Sequence, residues 1–346
     1  MTLDVGTGRV SNYVLQEEKT PKVIGTPATT PTGHAPAAIW FRRRRNSFQS
    51  LLSYIPSNIS TAIDAQAQLL AMTSQNGMTD IEVDMRTIGW LLKAFFGSHS
   101  VSGNSGAGFT HEFVPGTSEK TFQILEDKGG FSSAYYRKYQ GMFPNRISMN
   151  MGLNDWVWAS IGYLGLHEAT GSNPGTPDPE PSDVCAGFNQ VTYYIGTTGA
   201  TTLAAMSQWT DIYDMRLDLT RPDAVADDIR SDGTGESASI FPGTFTPSIN
   251  LMTRFASTHK LATYDARTPV SVGVKIDTGT DIVPAGQNYE LDFIFPRCTI
   301  QSYSVDFHGT GQSVPVLGVF PEIDPTAGYS TKALLYNDWS DYASPT

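Results

Sequence analysis

Apolar and polar positions alternate over strand-length stretches through most of this chain. NSFQSLLSYI (46–55), TDIEVDM (79–85), KTFQILED (120–127), NRISMNMG (145–152) and DWVWASIGYLG (155–165) alternate or run apolar, the period of two that sends successive side chains to opposite sheet faces. One stretch departs from the rule. In RTIGWLLKAFFGSH (86–99), Ile88, Leu91, Leu92 and Phe95 recur at helical spacing, and Gly97 stands where a helix should stop. This predicts one amphipathic helix of about three turns. Trp156 and Trp158 stand two apart and are expected on one strand face, packed on Trp90, Leu91 and Phe95 of the helix. Met149 and Met151 read as core or interface filler.

The second half repeats the order of the first. SFQSLLSYIPS (47–57) matches TDIYDMRLDLT (210–220), and MTDIEVDMRTI (78–88) matches TPSINLMTRFA (246–256). KTFQILEDKGG (120–130) then matches PVSVGVKIDTG (269–279). MFPNRISMNMG (142–152) matches IFPRCTIQSYS (294–304), both with Phe-Pro at the second position. Polar connections, 60–77 and 222–243, follow the first strand of each series; the first of them could form a hairpin or a short helix. The expected organisation is two copies of one β-rich domain.

Proline marks the breaks. Residues 1–36 hold Pro21, Pro27, Pro31 and Pro36 and read as an N-terminal arm, and ATGSNPGTPDPEPSD (169–183) has linker composition. The expected divisions are an arm at 1–36, a domain at 37–168, a Pro-rich linker at 169–187, a second domain at 188–336 and a C-terminal arm at 337–346.

Composition narrows the function classes. Charged residues are 16% of the chain, below the roughly 25% of ordinary soluble domains, and Tyr, Thr, Ser and Gly are plentiful. Such a surface suits coverage by other protein. The net charge of -11 argues against an ordinary nucleic-acid binder, which needs a basic face. No apolar run has the length of a membrane span and no apolar leader is seen, so no membrane partner is expected. Cys185 and Cys298 form no CxxC and read as reduced thiols.

A search for catalytic and cofactor motifs fails. GNSGAG (103–108) lacks the spacing of a nucleophile elbow, and GTGQSV (309–314) ends in Val314 where a dinucleotide loop needs Gly. The six histidines are scattered with no H-x-x-x-H pair, and DIRSDGTGE (228–236) lacks the third-position and twelfth-position ligands of a calcium loop. No enzyme activity, cofactor or metal is expected.

At this point the segments resemble a family, the tail tube (major tail) proteins of long-tailed bacteriophages, of the tandem-domain kind. The R-x-I-G-W-L-L-K-A-x-x-G segment from Arg86 to Gly97 looks like the family's signature. His111 and Phe113 after a Gly-rich loop, YQGMFPNRISMNM (139–151) and WVWASIGYLG (156–165) are similar to the segments that follow it. The resemblance covers about 40–167 well and 188–337 more weakly. It implies a mainly β fold: two tandem antiparallel β-sandwich or partial-barrel domains, each with a flanking helix. It also implies a structural virion protein whose rings stack into a hollow tail tube, a conduit for genome ejection. Two domains per chain imply a trimeric ring with pseudo-sixfold symmetry. Four inner-wall strands per domain would give roughly two dozen in the ring. Partners implied by the family are further copies, a tape-measure protein and tail-tip or tail-terminator proteins. Genomic DNA would pass without specific binding, and assembly would take place in the cytoplasm of the host bacterium. The rival reading is a baseplate, distal-tail or adhesin-type β-sandwich binding module.

Two charged clusters are the candidate sites. Arg42, Arg43, Arg44 and Arg45 lead into the first strand, where alternation sends Arg42 and Arg44 one way and Arg43 and Arg45 the other. The matching place in the second half has no basic run, and the cluster reads as an inter-subunit or inter-ring clamp onto acidic groups of a neighbour, with solvated charge or DNA contact as alternatives. Asp223, Asp227, Asp228, Asp232 and Glu236 form an acidic loop expected to face the lumen or the neighbouring ring.

Overall fold

The computed structural model describes residues 13–19, 38–40, 43–56, 68–118, 120–127, 136–152, 155–171, 184–229, 237–253, 263–282, 286–306 and 314–342. The first half contains β1 (Tyr13–Glu17), β2 (Ala38–Trp40), β3 (Arg43–Pro56), β4 (Gln68–Glu82), α1 (Ile88–Phe96), β5 (Gly97–Asn104), β6 (Gly108–Pro115), β7 (Phe122–Asp127), β8 (Tyr136–Asn150), β9 (Trp158–Gly165) and β10 (His167–Thr170). The second contains β11 (Val191–Thr197), β12 (Ser207–Gln208), β13 (Ile212–Thr220), β14 (Val225–Ile229), β15 (Ser237–Phe241), β16 (Thr246–Thr253), β17 (Val270–Asp281), β18 (Asn288–Asp306), β19 (Val314–Pro321) and β20 (Lys332–Asn337).

The duplication read from the sequence reappears as a duplicated pairing order. In the first half the strands run β2–β1–β7–β8–β9–β4–β3, all antiparallel. In the second they run β12–β11–β17–β18–β19–β16–β13, again all antiparallel. The short β10 lies on the first part of β8 as β20 lies on the first part of β18. At each Phe-Pro pair a ladder slips, between Pro144 and Arg146 along β9 in one half and between Val270 and Val272 of β17, opposite Cys298 and Phe295, in the other. Proline has no N–H to give to a ladder, which favours an irregularity there.

Among the described residues, two strand pairings join the halves. Arg216–Thr220 of β13 lie along Arg146–Asn150 of β8, and β20 pairs with β6. The first makes one continuous run of eight strands, β3–β4–β9–β8–β13–β16–β19–β18, four from each half. Alternation divides its faces. Ile81, Ile161, Ile147, Leu217, Ile249 and Val319 are at most 1% exposed and point into one core shared by both halves. The opposite face carries Asp80, Ser160, Arg146, Asn150, Arg216 and Asn250, all half-buried or exposed.

The helix forms where expected and stops where expected. Gly97 takes φ 78° and its N–H caps Lys93 O. A Cβ there would sit 2.8 Å from Ser118 O, so the left-handed stop requires glycine. The amphipathic reading needs correction, because every residue of α1 is buried, Lys93 included. Lys93 ends against Glu17 at 3.4 Å and donates to Tyr342 O at 2.5 Å. In the second half the described helical residues between β16 and β17 are 263–265; residues 254–262 lie outside the described residues.

The tryptophan reading is also corrected. Trp156 is 51% exposed and Trp158 is half-buried, while Val157, Ala159 and Ile161 fill the core. The phase is one residue off, because Trp156 makes an isolated bridge to Gly187 instead of starting β9. Met149 and Met151 are core, as expected. Of the connection 60–77, left open between hairpin and helix, residues 68–77 form the second arm of a long β3–β4 hairpin and 60–67 lie outside the described residues. Its outer part, from Leu51 to Pro56 against Gln68 to Ser74, extends beyond the Gln75 end of the β4–β9 ladder.

Candidate functional site

The seam between β8 and β13 is where the two halves become one sheet, and a short charge network crosses it. Asp218 on β13 accepts from Arg146 on β8 at 2.9 Å and is 2.9 Å from Arg216 Nε. Burial works to raise the Asp218 pKa. Hydrogen bonds from Ser148 and Arg146 and the charge of Arg216 outweigh it, so the carboxyl titrates below its usual range. Asp218 and Ser148 face each other in register and are 9% and 7% exposed. The seam is therefore closed by side chains as well as by backbone.

Above the seam, the second half holds α1 at both ends. At the helix start, Asp84 accepts from the N–H groups of Arg86 at 2.8 Å and Thr87 at 3.0 Å, and with its other oxygen from Val184 N at 3.0 Å. Arg86 makes a two-pronged contact with Asp338 at 2.9 and 2.8 Å and donates to the Tyr289 hydroxyl at 2.6 Å. Burial opposes the Arg86 charge, and Asp338 with Tyr289 more than offsets it, so the pKa is raised. At the helix end, Arg221 donates to Phe95 O at 3.0 Å, Phe96 O at 3.2 Å, Gly116 O at 3.2 Å and Gly243 O at 3.1 Å. A cation among the last carbonyls of a helix is where the helix dipole favours it. The guanidinium also lies over the rings of Phe95 and Phe245.

Along the middle of the helix runs the chain's last described segment. Tyr342 is fully buried against Trp90, its hydroxyl donates to Arg86 O at 2.7 Å, and it receives Asn337 Nδ2 at 2.7 Å. A side chain at Gly89 would overlap the Tyr342 ring, so the glycine makes room for it. Next to it His99 and His111 stack, ring nitrogens 3.1 Å apart, with His111 2.9 Å from Trp339 O. Burial lowers both histidine pKa values, that of His99 to about 4.

The sequence-derived site residues fall in two separate places. Arg43, Arg44 and Arg45 lie in β3 at the Ile81 end of the β3–β4 ladder, and Arg42 lies outside the described residues. Asp223 is exposed in the turn before β14, Asp227 and Asp228 lie in β14, and Asp232 and Glu236 lie outside the described residues. The β14–β15 hairpin packs through Ile240 on Phe143 and Leu166 of the first half. That is the far end of the ladder from the arginines. Arg221, Asp338 and Tyr342, which hold the halves together, carried no motif in the sequence; Arg86 stood inside one without a stated role.

A chain folded as one duplicated antiparallel sheet, with a polar face opposite its core, is built as a wall. A family model for phage tail tube protein matches residues 8–302. The chain belongs to the phage tail tube family. It is a structural protein of the virion tail, of a family whose members assemble into a tube. A comparison with curated proteins gave no match. For a tail tube protein the site of interest is a surface: the eight-stranded run, its polar face and its two ends.

Proposed function

We propose that copies of this chain close laterally into rings, that the rings stack into a hollow tube, and that the genome leaves through it. The observation that carries the reading is the eight-stranded run with four strands from each half. Three copies give a wall of roughly two dozen strands, and barrels of about 16 strands already enclose an aqueous channel. The ring is a trimer with pseudo-sixfold symmetry, and its two domains are 37–168 and 188–336; the segments 1–36 and 337–346, expected as arms, contribute β1 to the sheet and Tyr342 to the core.

The polar face lines the lumen. Its mix of Ser, Asn and paired charges such as Arg146 with Asp218 supports passage of DNA without capture, since unpaired cations are what hold phosphates. The role is structural and not enzymatic. Tape-measure, tail-tip and terminator proteins meet the ends of the tube, and assembly takes place in the host bacterial cytoplasm before incorporation in the tail. Negative-stain electron microscopy of the purified, concentrated protein tests the reading. Stacked rings with an open centre are expected. Dispersed particles at every concentration would overturn it in favour of a baseplate or adhesin-type binding module.

A further inference from the structure

The two halves leave a matched pair of strand edges open. Inside the chain, β8 gives one edge of Arg146–Asn150 to β13. By the shared pairing order, β18 is the counterpart of β8, and β3 is the counterpart of β13. Among the described residues, β3 pairs with β4 and no strand takes its other edge. On the β17 side of β18 the ladder stops at Cys298, while β19 takes the opposite edge up to Asp306. Among the described residues, 299–306 therefore have one edge open. Exposed edges of this length invite another strand.

The register follows from ladders common to both halves. Ile161 pairs with Ile147 and Thr79, and Val319 pairs with Ile300 and Ile249. Equating the two makes Ile300 the counterpart of Ile147 and Ser302 that of Ser148. Asn46, the partner of Thr79, becomes the counterpart of Leu217, the partner of Ile249. Ser47 then stands for Asp218 and Phe48 for Leu219. Burial follows the same division. Asp218 and Ser148 are closed in the intrachain seam, whereas their counterparts Ser47 and Ser302 are exposed.

We propose that β3 of one copy adds antiparallel to residues 299–306 of β18 in a second copy, repeating the β8–β13 seam between chains. Phe48 lies opposite Ile300 and Ser47 opposite Ser302, and the arginines that begin β3 come beside Asp306 at the end of β18. The occupant is a second copy because each open edge is the counterpart of one already paired in that register within the chain. A head-to-tail contact of this kind repeats until a ring closes.

The proposal rests on the ring reading, and the test separates them. A chain carrying Ser47→Cys is mixed with one carrying Ser302→Cys, both with Cys185→Ser; Cys298 is fully buried and stays. The mixture is assembled, oxidised, run on non-reducing gels and viewed by electron microscopy. A disulfide-linked dimer is expected in the mixture and in neither single variant. Tubes without that dimer overturn the edge pairing and leave the ring standing; an unaltered chain that forms no tubes overturns both. Hydrogen exchange on the unaltered protein reads the same contact without substitution. Amides of Arg43–Gln49 that face away from β4 should slow at least about tenfold on assembly, and unchanged rates overturn the pairing.

Discussion

Arg221 Nε donates to Phe95 O across 3.0 Å, so the second half of the chain caps the helix of the first. The guanidinium serves four carbonyls at once, and its loss removes a donor from each of them. Arg221→Met, which keeps most of the volume, is expected to destabilise by about 3 kcal/mol. Arg221→Lys should fall between the two, because an ammonium cannot span the same set. Calorimetric Tm values check this, and an unchanged Tm for the methionine variant counts against the clasp.

Asp338 anchors the end of the chain to Arg86. The pair is partly exposed, so its contribution is modest. Asp338→Asn is expected to cost about 1 kcal/mol and to speed proteolysis after the β20 strand more than elsewhere. Uniform cleavage across the chain would argue that the contact is incidental.

Acid should loosen the same region. Burial holds His99 at about 4 and pushes His111 down as well, against about 6.5 in an unfolded chain. The folded state binds these protons more weakly than the unfolded state. Their stabilising contribution is therefore full above about pH 6.5 and is lost as the pH falls toward about 4, by about 1–3 kcal/mol. His99→Gln should flatten the Tm profile across that window; a profile as steep as the unaltered protein's would assign the acid sensitivity to other groups.

Beyond its Ala226–Ile240 pair the β14–β15 hairpin carries Asp227 and Asp228, two of the acidic residues singled out in the sequence. Trimming it beyond the Ala226–Ile240 pair keeps the contact of Ile240 with Phe143. The trimmed chain is expected to fold with nearly unchanged stability, yet to fail to form long tubes in sedimentation assays. Normal tubes would remove the hairpin from the stacking contact.

Replacing Arg42, Arg43, Arg44 and Arg45 with Gln is expected to raise the concentration needed for assembly about tenfold, or about 1.4 kcal/mol. The difference between variant and unaltered chain should shrink as salt rises. Equal assembly at every ionic strength would return the run to solvated charge.

Much of this fold was legible because sheet and helix leave different periods in the chain. The matched strands of the two halves recur as matched ladders, and Gly97 ends α1 as its position suggested. What was not legible arose from long-range contact. Lys93 reads as the polar side of a helix, and only the arrival of Glu17 and Tyr342 buries it. Trp156 and Trp158 look like core by size, but the phase of β9 was set by Val157, Ala159 and Ile161. Arg221 follows a strand with no local pattern around it, since three of its four carbonyl partners lie more than a hundred residues away.

The β8–β13 seam carries a kinetic consequence. In the proposed ring, joining two wall segments in one polypeptide turns every second joint into an event of folding, governed by the effective concentration of a tether, commonly near millimolar. The remaining joints still depend on chains meeting in solution. On the proposed assembly, a newly made chain arrives with half its lateral joints complete, and nucleation of the ring needs fewer encounters than separate half-chains would require.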